Sequence, residues 1–269
     1  MPGQEPAGLD TATPNIARMY DYFLEGKDNF AADRAAADQL IEMMPQLPLV
    51  ARANRAFLRR VVRVLAEEYG IRQFIDIGTG LPTAGNVHEV AQKVARRARV
   101  LYVDNDPVVC THARALLASG ATQIIEADLR SPEKIIGHPA TRELIDFDEP
   151  CALMFLSVLH FVPDSDDPRA IIARFRDAMA PGSFLVISHG TLETRPDDPR
   201  AKLSAEVYSQ TAAHLSLRSL EAVRGLFDGF ELVEPGLVWI SDWRPGAFEG
   251  VTGAAETLRG GVGRKAKAP

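Results

Sequence analysis

The sequence contains only two cysteines among its 269 residues, and this scarcity excludes a scaffold held together by disulfides. Cys110 and Cys151 both lie in apolar runs, so we expect buried free thiols rather than a disulfide or a metal site. Long apolar runs are missing too. No stretch approaches the roughly 18 apolar residues of a membrane span, and no signal pattern opens the chain. The sequence therefore predicts a cytoplasmic protein with no membrane partner.

An excess of basic charge is also absent. The net charge is −6, and the charged residues, which make up 25% of the chain, are dispersed in both signs. General binding to nucleic acid requires a basic surface, so the sequence predicts no nucleic-acid partner. A hydrophobic content of 46% is enough for one large α/β domain with a few appendages.

Three successive predicted strands each end in acidic residues. They are found at 74–80 (FIDIGTG), 100–107 (VLYVDNDP) and 124–128 (IIEAD). The carboxyl ends of neighbouring strands in a doubly wound sheet meet along one crevice, so these carboxylates are expected to lie together there. The pattern predicts a nucleoside-cofactor site at that edge.

The glycine turn after the first strand narrows the choice of cofactor. Residues 78–83 (GTGLPT) occupy the six places of the dinucleotide fingerprint but lack its third small residue. Pro82 also removes a backbone N–H that would face a pyrophosphate. Asp76, just before the turn, suits a cationic group such as an amino-acid ammonium. An oxidoreductase that uses a nicotinamide cofactor therefore becomes the less favoured alternative.

This order of features resembles the class I S-adenosylmethionine-dependent methyltransferases over residues 57–243. The resemblance implies that the turn at Asp76, Gly78 and Gly80 holds the methionine end of S-adenosyl-L-methionine. It assigns the ribose hydroxyls to Asp104 and the adenine amino group to Asp128, although Asn105 stands where the family usually has an apolar residue. The full set of expected cofactor-binding residues is Asp76, Gly78, Thr79, Gly80, Asp104, Asn105, Asp128, Leu129, Ser157, Tyr20 and Lys27.

Both ends of the chain are similar to one bacterial branch of these enzymes, the S-adenosyl methyltransferase family, first catalogued as a domain of unknown function. The similar stretches are 14–30 (PNIARMYDYFLEGKDNF) and 261–265 (GVGRK). We expect the amphipathic helix in the first stretch to pack over the crevice, with Lys27 or Tyr20 near the methionine carboxylate. A segment that serves only packing remains an open alternative.

The resulting fold class is α/β, with a doubly wound, Rossmann-like, seven-stranded sheet that is mostly parallel and has an antiparallel C-terminal strand. We expect a disordered N-terminus at 1–13, a helical lid at 14–52, a methyltransferase core at 53–245 and a C-terminal tail at 246–269. Within the core, 189–217 should form a loop and helix over the crevice. Strands at 230–233 and 237–240 should pair as an antiparallel hairpin.

The sequence also predicts three helices before the first strand. Asn15 should cap the first helix, and a second should cover 31–43 and be broken by Pro45 and Pro48. A third helix is expected at 54–69, and its arginine-bearing face, which includes Arg55, is interpreted as a solvated surface.

His160, in the turn after the fourth strand, is the candidate general base, because imidazole can accept a hydroxyl proton near neutral pH. A histidine that only packs there remains open, and His189 is a second choice. Ser157 should offer its backbone to the cofactor. No metal site is expected.

The function that follows is methyl transfer to a small-molecule acceptor, for example O-methylation. One alternative is a catalytically silent S-adenosylmethionine-binding protein that acts as a regulatory or partner module; the other is the nicotinamide oxidoreductase. No Asn/Asp-Pro-Pro-Tyr/Phe-like motif follows the fourth strand, which counts against a nucleic-acid methyltransferase. The methylated atom and the oligomeric state are left open by the sequence.

Overall fold

The structure, a computed structural model, describes residues 10–82, 85–116, 120–191, 215–246 and 257–266. Three predicted segments lie partly outside this description: the disordered N-terminus, the loop and helix at 189–217, and the C-terminal tail. The two cysteines are free and buried, as the sequence predicts.

A single sheet organises the described chain. Five strands run parallel: β1 (Gln73–Ile77), β2 (Arg99–Asp104), β3 (Thr122–Glu126), β4 (Ala152–Leu156) and β5 (Phe184–Gly190). Three more strands complete the sheet: β6 (Phe230–Leu232), β7 (Val238–Trp239) and β8 (Leu258–Lys265). The order is β3-β2-β1-β4-β5-β8-β6, with β7 also paired to β8. The predicted doubly wound sheet with an antiparallel C-terminal strand is confirmed, although the described residues form eight strands rather than the predicted seven.

Helices cover both faces of this sheet. They are α1 (Ile16–Phe23), α2 (Ala31–Met43), α3 (Leu47–Glu67), α4 (Val87–Val94), α5 (Pro107–Leu116), α6 (Pro132–Gly137), α7 (Pro139–Leu144), α8 (Pro168–Ala178) and α9 (Leu220–Gly225). Alternate residues of a strand point to opposite faces, so Phe74 packs with α3 and α4, whereas Ile75 and Ile77 pack with α6, α8 and α9. None of the helices in the described ranges is long and apolar enough to cross a membrane.

The predicted hairpin at 230–240 is wrong. Strands β6 and β7 do not pair with each other, and both instead run antiparallel to β8. The GVGRK stretch, which was expected in a tail, thus lies inside the sheet between β5 and β6. Glycine permits this close packing, since a Cβ at Gly260 would lie 2.7 Å from Ile240 Cγ2 and 2.9 Å from Phe57 Cζ.

Helix α3 begins seven residues earlier than the sequence suggested, and Pro48 lies in its first turn rather than breaking a helix. Proline is well tolerated there because the first N–H groups of a helix have no intrahelical partner. The earlier start brings two more turns of α3 beside α1.

Helices α1 and α2, which we call the helix pair, match their predicted positions. Asn15 caps α1, its side-chain oxygen accepting from the N–H groups of Ala17 and Arg18. Met19 and Phe23 of α1 are buried together with Leu40 of α2 and Ala51 of α3. The apolar stripe of α1 is therefore used to dock the helix pair onto α3.

Candidate active site

A cavity of about 420 Å³ opens at the carboxyl ends of the central strands. Parts of α1, α3, the loop after β4 and the start of β8 complete its walls. Of the twelve residues that the sequence assigns to the site, eleven line this cavity: Tyr20, Asp76, Gly78, Thr79, Gly80, Asp104, Asn105, Asp128, Leu129, Ser157 and His160. Lys27 does not.

Asp76 is the penultimate residue of β1 and a buried carboxylate. Burial raises its pKa to about 6, although the nearby Arg55 guanidinium and a hydrogen bond act in the opposite direction. That bond is donated by Thr79 Oγ1 to Asp76 Oδ2 at 3.1 Å. A cationic ligand group beside such a buried carboxylate would stabilise its ionised form.

Asp104 ends β2 and organises the turn above it. Its Oδ2 accepts from the Gly80 N–H at 2.8 Å, and its Oδ1 accepts from the Asp106 N–H at 3.0 Å. Burial raises the pKa of this carboxyl, while the backbone N–H groups act to lower it. The side chain is thus held in one orientation at the cavity wall, where each oxygen has a second lone pair for a ligand.

Asp128 lies in a different environment, near the mouth of the cavity. Arg130 donates two hydrogen bonds to the Asp128 carboxylate, from its Nε to Oδ1 at 3.0 Å and from its Nη2 to Oδ2 at 2.5 Å. These bonds lower the pKa of Asp128. A ligand amino group at this position would share the carboxylate with Arg130. Asn105 and Leu129 also line the cavity, the first exposed and the second a half-buried apolar side chain.

Ser157 adopts a left-handed backbone conformation, with φ of 55°, directly after β4. Its N–H donates to Ser188 Oγ at 2.9 Å, and Ser188 Oγ donates to Asn54 Oδ1 at 2.7 Å. Asn54 Nδ2 in turn donates to the Tyr20 hydroxyl at 3.1 Å. A strained backbone conformation in a non-glycine residue is kept where surrounding bonds enforce it, and such residues cluster at functional sites. The chain of bonds ties α1 and α3 to the strand ends.

Helix α1 is also anchored by a buried ionic cluster. Arg18 Nε donates to Asp33 Oδ2 at 2.8 Å, and its Nη1 lies 4.0 Å from Asp106 Oδ2. All three side chains are buried. Because Asp106 follows Asp104 by two residues, this cluster connects the helix pair directly to the edge of the cavity.

The structure does not bring Lys27 to the cavity, contrary to the prediction. Its side chain is exposed on the turn after α1. Asp21 holds that turn away from the cavity, because its Oδ2 accepts from the Asp28 N–H at 3.0 Å and from Asn29 Nδ2 at 2.9 Å.

Arg55 of α3 is a cation of the cavity lining that acts on Asp76, whereas the helix pattern predicts a solvated face for it. It lines the cavity, donates to Asn86 Oδ1 at 3.0 Å and lowers the pKa of Asp76 by its charge. Sequence reasoning missed it because the neighbouring Arg59 and Arg63 made a continuous basic face. One feature of the sequence does indicate its position: Arg55 follows Asn54, a polar residue that interrupts the apolar stripe of the same helix.

The two histidines form a buried pair, with ring centroids 5.4 Å apart. His160 Nδ1 accepts from the Gly190 N–H at 3.3 Å, so the proton of the neutral ring lies on Nε2. Burial lowers the pKa of His160 well below its usual value. His160 lines the cavity as a neutral ring whose other nitrogen, Nε2, carries the N–H.

His189 does not line the cavity. Its Nδ1 donates to Gly190 O at 2.6 Å and its Nε2 accepts from Arg218 Nη1 at 2.8 Å, so both ring nitrogens have partners inside the protein. Burial lowers the pKa of His189 to about 4. This geometry gives His189 a supporting position behind His160.

The chain matches the family model described as S-adenosyl methyltransferase over residues 2–266. It is similar to a solved DUF574 family protein from Streptomyces avermitilis MA-4680, with 42% identity over 95% of this chain and 99% of that one, and a TM-score of 0.90. A proposed methyltransferase from Thermobifida fusca YX is also 42% identical, over 98% of both chains, with a TM-score of 0.90.

A more distant structure shares the fold alone. An O-methyltransferase family protein from Burkholderia thailandensis has 16% identity over 83% of this chain and 61% of its own, with a TM-score of 0.52. A comparison with curated proteins finds no match. The family model covers nearly the whole chain and agrees with the strand-end carboxylates of the cavity. The chain therefore belongs to the S-adenosyl methyltransferase family.

Proposed function

We propose that this protein transfers the methyl group of S-adenosylmethionine to a small-molecule acceptor. The observation that carries the proposal is the placement of Asp76 and Asp104 in one cavity at the ends of adjacent strands. Membership of the methyltransferase family supports the same reaction class. The proposal assigns each group of the cofactor to a matching side chain.

The residues of the cavity fit such a cofactor chemically. Asp76 would accept from the ammonium of the methionine end, and Arg55 would pair with its carboxylate. Asp104 would accept from the vicinal ribose hydroxyls, and Leu129 with Asp128 would meet the adenine. Space is available above the turn, since a Cβ built on Gly80 finds no heavy atom nearer than Ala17 Cβ at 4.0 Å.

When bound, S-adenosylmethionine would supply a methyl group on a sulfonium, whose sulfur becomes the neutral thioether of S-adenosylhomocysteine once the methyl group is transferred. Such a step depends mainly on alignment and on exclusion of water. In this chain the Asp104 carboxylate fixes the Gly80 turn, and α1 covers the cavity with Ala17, Met19 and Tyr20. We assign the helix pair the role of a lid on this basis.

His160 is proposed as the catalytic residue, and its hydrogen bonding favours a donor rather than a general base. With Nδ1 accepting from Gly190, its Nε2–H is the group left to orient an oxygen of the acceptor. The His160→Gln variant places an amide N–H near the position of Nε2, whereas His160→Asn places its amide near Nδ1. A donor role predicts that glutamine retains more of kcat than asparagine.

A silent S-adenosylmethionine-binding protein is the second candidate. The observation that favours it is that His160 is a neutral ring with its proton on Nε2, so this nitrogen cannot act as a base. Acceptor-dependent turnover distinguishes a methyltransferase from a silent binding protein. We expect the full chain to release S-adenosylhomocysteine from S-adenosylmethionine in the presence of a neutral hydroxylated acceptor, measured with a coupled S-adenosylhomocysteine hydrolase assay. Binding without acceptor-dependent release across a broad acceptor panel would favour the silent protein.

Binding of S-adenosylhomocysteine should depend on pH through Asp76. Its pKa of about 6 means that the carboxyl is ionised above that pH and protonated below it, whereas the ligand ammonium stays charged throughout. Affinity should therefore be about tenfold lower at pH 5 than at pH 7. Calorimetry at both values checks this, and Asp76→Asn should remove the pH dependence. A flat profile for the unmodified chain would contradict the assignment.

The two glycines of the turn should respond differently to alanine. Both have positive φ, 69° at Gly78 and 67° at Gly80, which costs an alanine about 1 kcal/mol. A Cβ on Gly78 would also lie 2.4 Å from Val158 Cγ2, so Gly78→Ala should lower the melting temperature more than Gly80→Ala.

Gly80→Ala should instead weaken S-adenosylhomocysteine binding, by roughly five- to 150-fold, because its methyl group enters the cavity. Melting curves and calorimetry on both variants test the pair. Full affinity in folded Gly80→Ala would show that the ligand does not approach this turn closely.

A further inference from the structure

Five of the six charged side chains among the described residues that line the cavity come from the ends of three neighbouring strands. Among the described lining residues, the charged side chains are Arg55, Asp76, Asp104, Asp106, Asp128 and Arg130. Apart from Arg55 on α3, they all lie at or after the carboxyl ends of β1, β2 and β3. This part, the charged wall, is the one that the proposed function assigns to the cofactor.

The rest of the described lining is uncharged and mainly apolar, and we call it the apolar wall. Its larger side chains are Phe23 from α1, Leu47, Val50 and Leu58 from α3, Phe161 after β4 and Leu258 from β8. These come from four separate elements that converge on one space. Leu258 begins β8 and Leu47 begins α3, the two elements whose positions the sequence failed to predict.

The polar groups of the apolar wall carry no charge near neutral pH. Burial raises the pKa of the Tyr20 hydroxyl and lowers that of the His160 ring, so both stay neutral. Asn54 is an amide. The Tyr20 hydroxyl is already bonded, donating to Ala51 O at 3.1 Å and accepting from Asn54 Nδ2. Of the described residues, those of the apolar wall therefore offer a ligand neutral dipoles and hydrocarbon, and Arg55 of α3 is the charged lining residue that acts on Tyr20.

A charged group transferred against the apolar wall loses its hydration and finds no opposite charge among the described residues of that wall, which makes its binding unfavourable. An apolar ligand surface gains from the same transfer, because both it and the wall are removed from water. The energetic balance thus selects ligands by charge.

We infer that the methyl acceptor is an uncharged, mainly apolar molecule that lies against the apolar wall and presents a neutral nucleophile toward the charged wall. This inference rests on the proposed function, since it names the substrate class of the same site. It excludes phosphorylated compounds, carboxylates and cationic amines as preferred acceptors. In this proposal the Nε2–H of His160 would donate to an oxygen of such a molecule.

The test uses three probes with one aromatic frame: 2-naphthol, 2-naphthoate and 2-naphthylmethylammonium. Each is titrated at pH 7 into the full chain already saturated with S-adenosylhomocysteine, and the affinity is measured by calorimetry. The neutral naphthol should bind at least about tenfold more tightly than either charged probe. Equal or tighter binding of a charged probe would overturn the inference, as would failure of all three to bind.

A matched pair of variants locates the effect. Leu47 and Leu49 both lie in the first turn of α3, where the helix dipole tolerates an added carboxylate, but only Leu47 lines the cavity and Leu49 is 41% exposed. Leu47→Asp should weaken naphthol binding by about tenfold or more and strengthen binding of the cationic probe. Leu49→Asp should change neither. Equal effects of the two variants would place the probe elsewhere and overturn the inference.

Two controls keep the outcomes distinct. Binding of S-adenosylhomocysteine is measured first, so that its absence counts against the proposed function and not against the acceptor class. Melting curves show whether Leu47→Asp folds; if it does not, the ranking of the three probes on the unmodified chain still decides.

Discussion

Replacing Asp104 with alanine is expected to weaken S-adenosylhomocysteine binding by roughly 10- to 150-fold. The loss of a charged hydrogen-bond acceptor costs about 1.5–3 kcal/mol, and the ribose hydroxyls offer two bonds to this carboxylate. The variant also releases the Gly80 N–H, which Asp104 Oδ2 holds at 2.8 Å, so the turn above the ligand loses its support. Calorimetry on the folded variant gives the affinity directly.

Glu126 provides the control at the same edge of the sheet. It is the register partner of Asp104 in the β2–β3 pair, but its side chain is exposed and does not line the cavity. Glu126→Ala should leave the affinity within about twofold of the unmodified chain. An unchanged affinity in Asp104→Ala, or an equal loss in both variants, would contradict the ribose assignment.

Replacing Arg18 with leucine should detach the helix pair from the cavity. The change leaves Asp33, which is fully buried, without its cation, and breaking a buried ion pair costs about 3–5 kcal/mol. The N–H bonds that Asn15 and Phe30 donate to Asp33 would remain. We expect faster hydrogen exchange at α1 and an S-adenosylhomocysteine affinity at least about tenfold lower.

Arg52 offers a matched comparison, because its Nη2 pairs with Glu25 Oε1 at 2.7 Å and also joins α3 to the end of α1. Both of these side chains are exposed, so Arg52→Leu should cost no more than about 1 kcal/mol and spare the affinity. The double variant Arg18→Leu with Asp33→Asn should regain part of the loss, since it removes the unpaired charge. Unchanged exchange at α1 in Arg18→Leu would rule out the anchoring role.

Much of the core was predictable because its signals are local. Apolar strands such as 152–156 are buried on both faces, and each is followed by a turn and a helix stripe, so the parallel order follows from known handedness rules. The carboxylates Asp76 and Asp104 were predictable for the same reason, since the topology alone brings strand ends together. Helix α2 was found at its observed bounds.

The errors fall where a long-range contact decides the structure. Strand β8 has few apolar residues, so its sequence does not predict a buried strand. Its glycines are required because Phe57, Ile240 and Phe230 pack closely against them. Pairing of β6 and β7 with β8 then replaces the hairpin that the local turn suggested.

Within the site, the missed features are also tertiary. The bonds from Ser188 through Asn54 to Tyr20 join residues 134 and 34 positions apart, which no sequence spacing reveals. Arg55 lines the cavity because α3 lies across the strand ends. Lys27 lies away from the cavity because the turn that carries it folds onto Asp21. Helix periodicity gives the faces of a helix but not what each face meets.

Calorimetric titration of the full chain with S-adenosylhomocysteine, and separately with NADH, tests the central claim most directly. A cavity built around Asp76 and Asp104 for an adenosyl amino acid should give saturable one-to-one binding of S-adenosylhomocysteine. The same titration with NADH should give no binding, because the turn at 78–83 lacks the third small residue and Pro82 lacks an N–H for a pyrophosphate. Saturable binding of NADH together with no binding of S-adenosylhomocysteine would contradict the account.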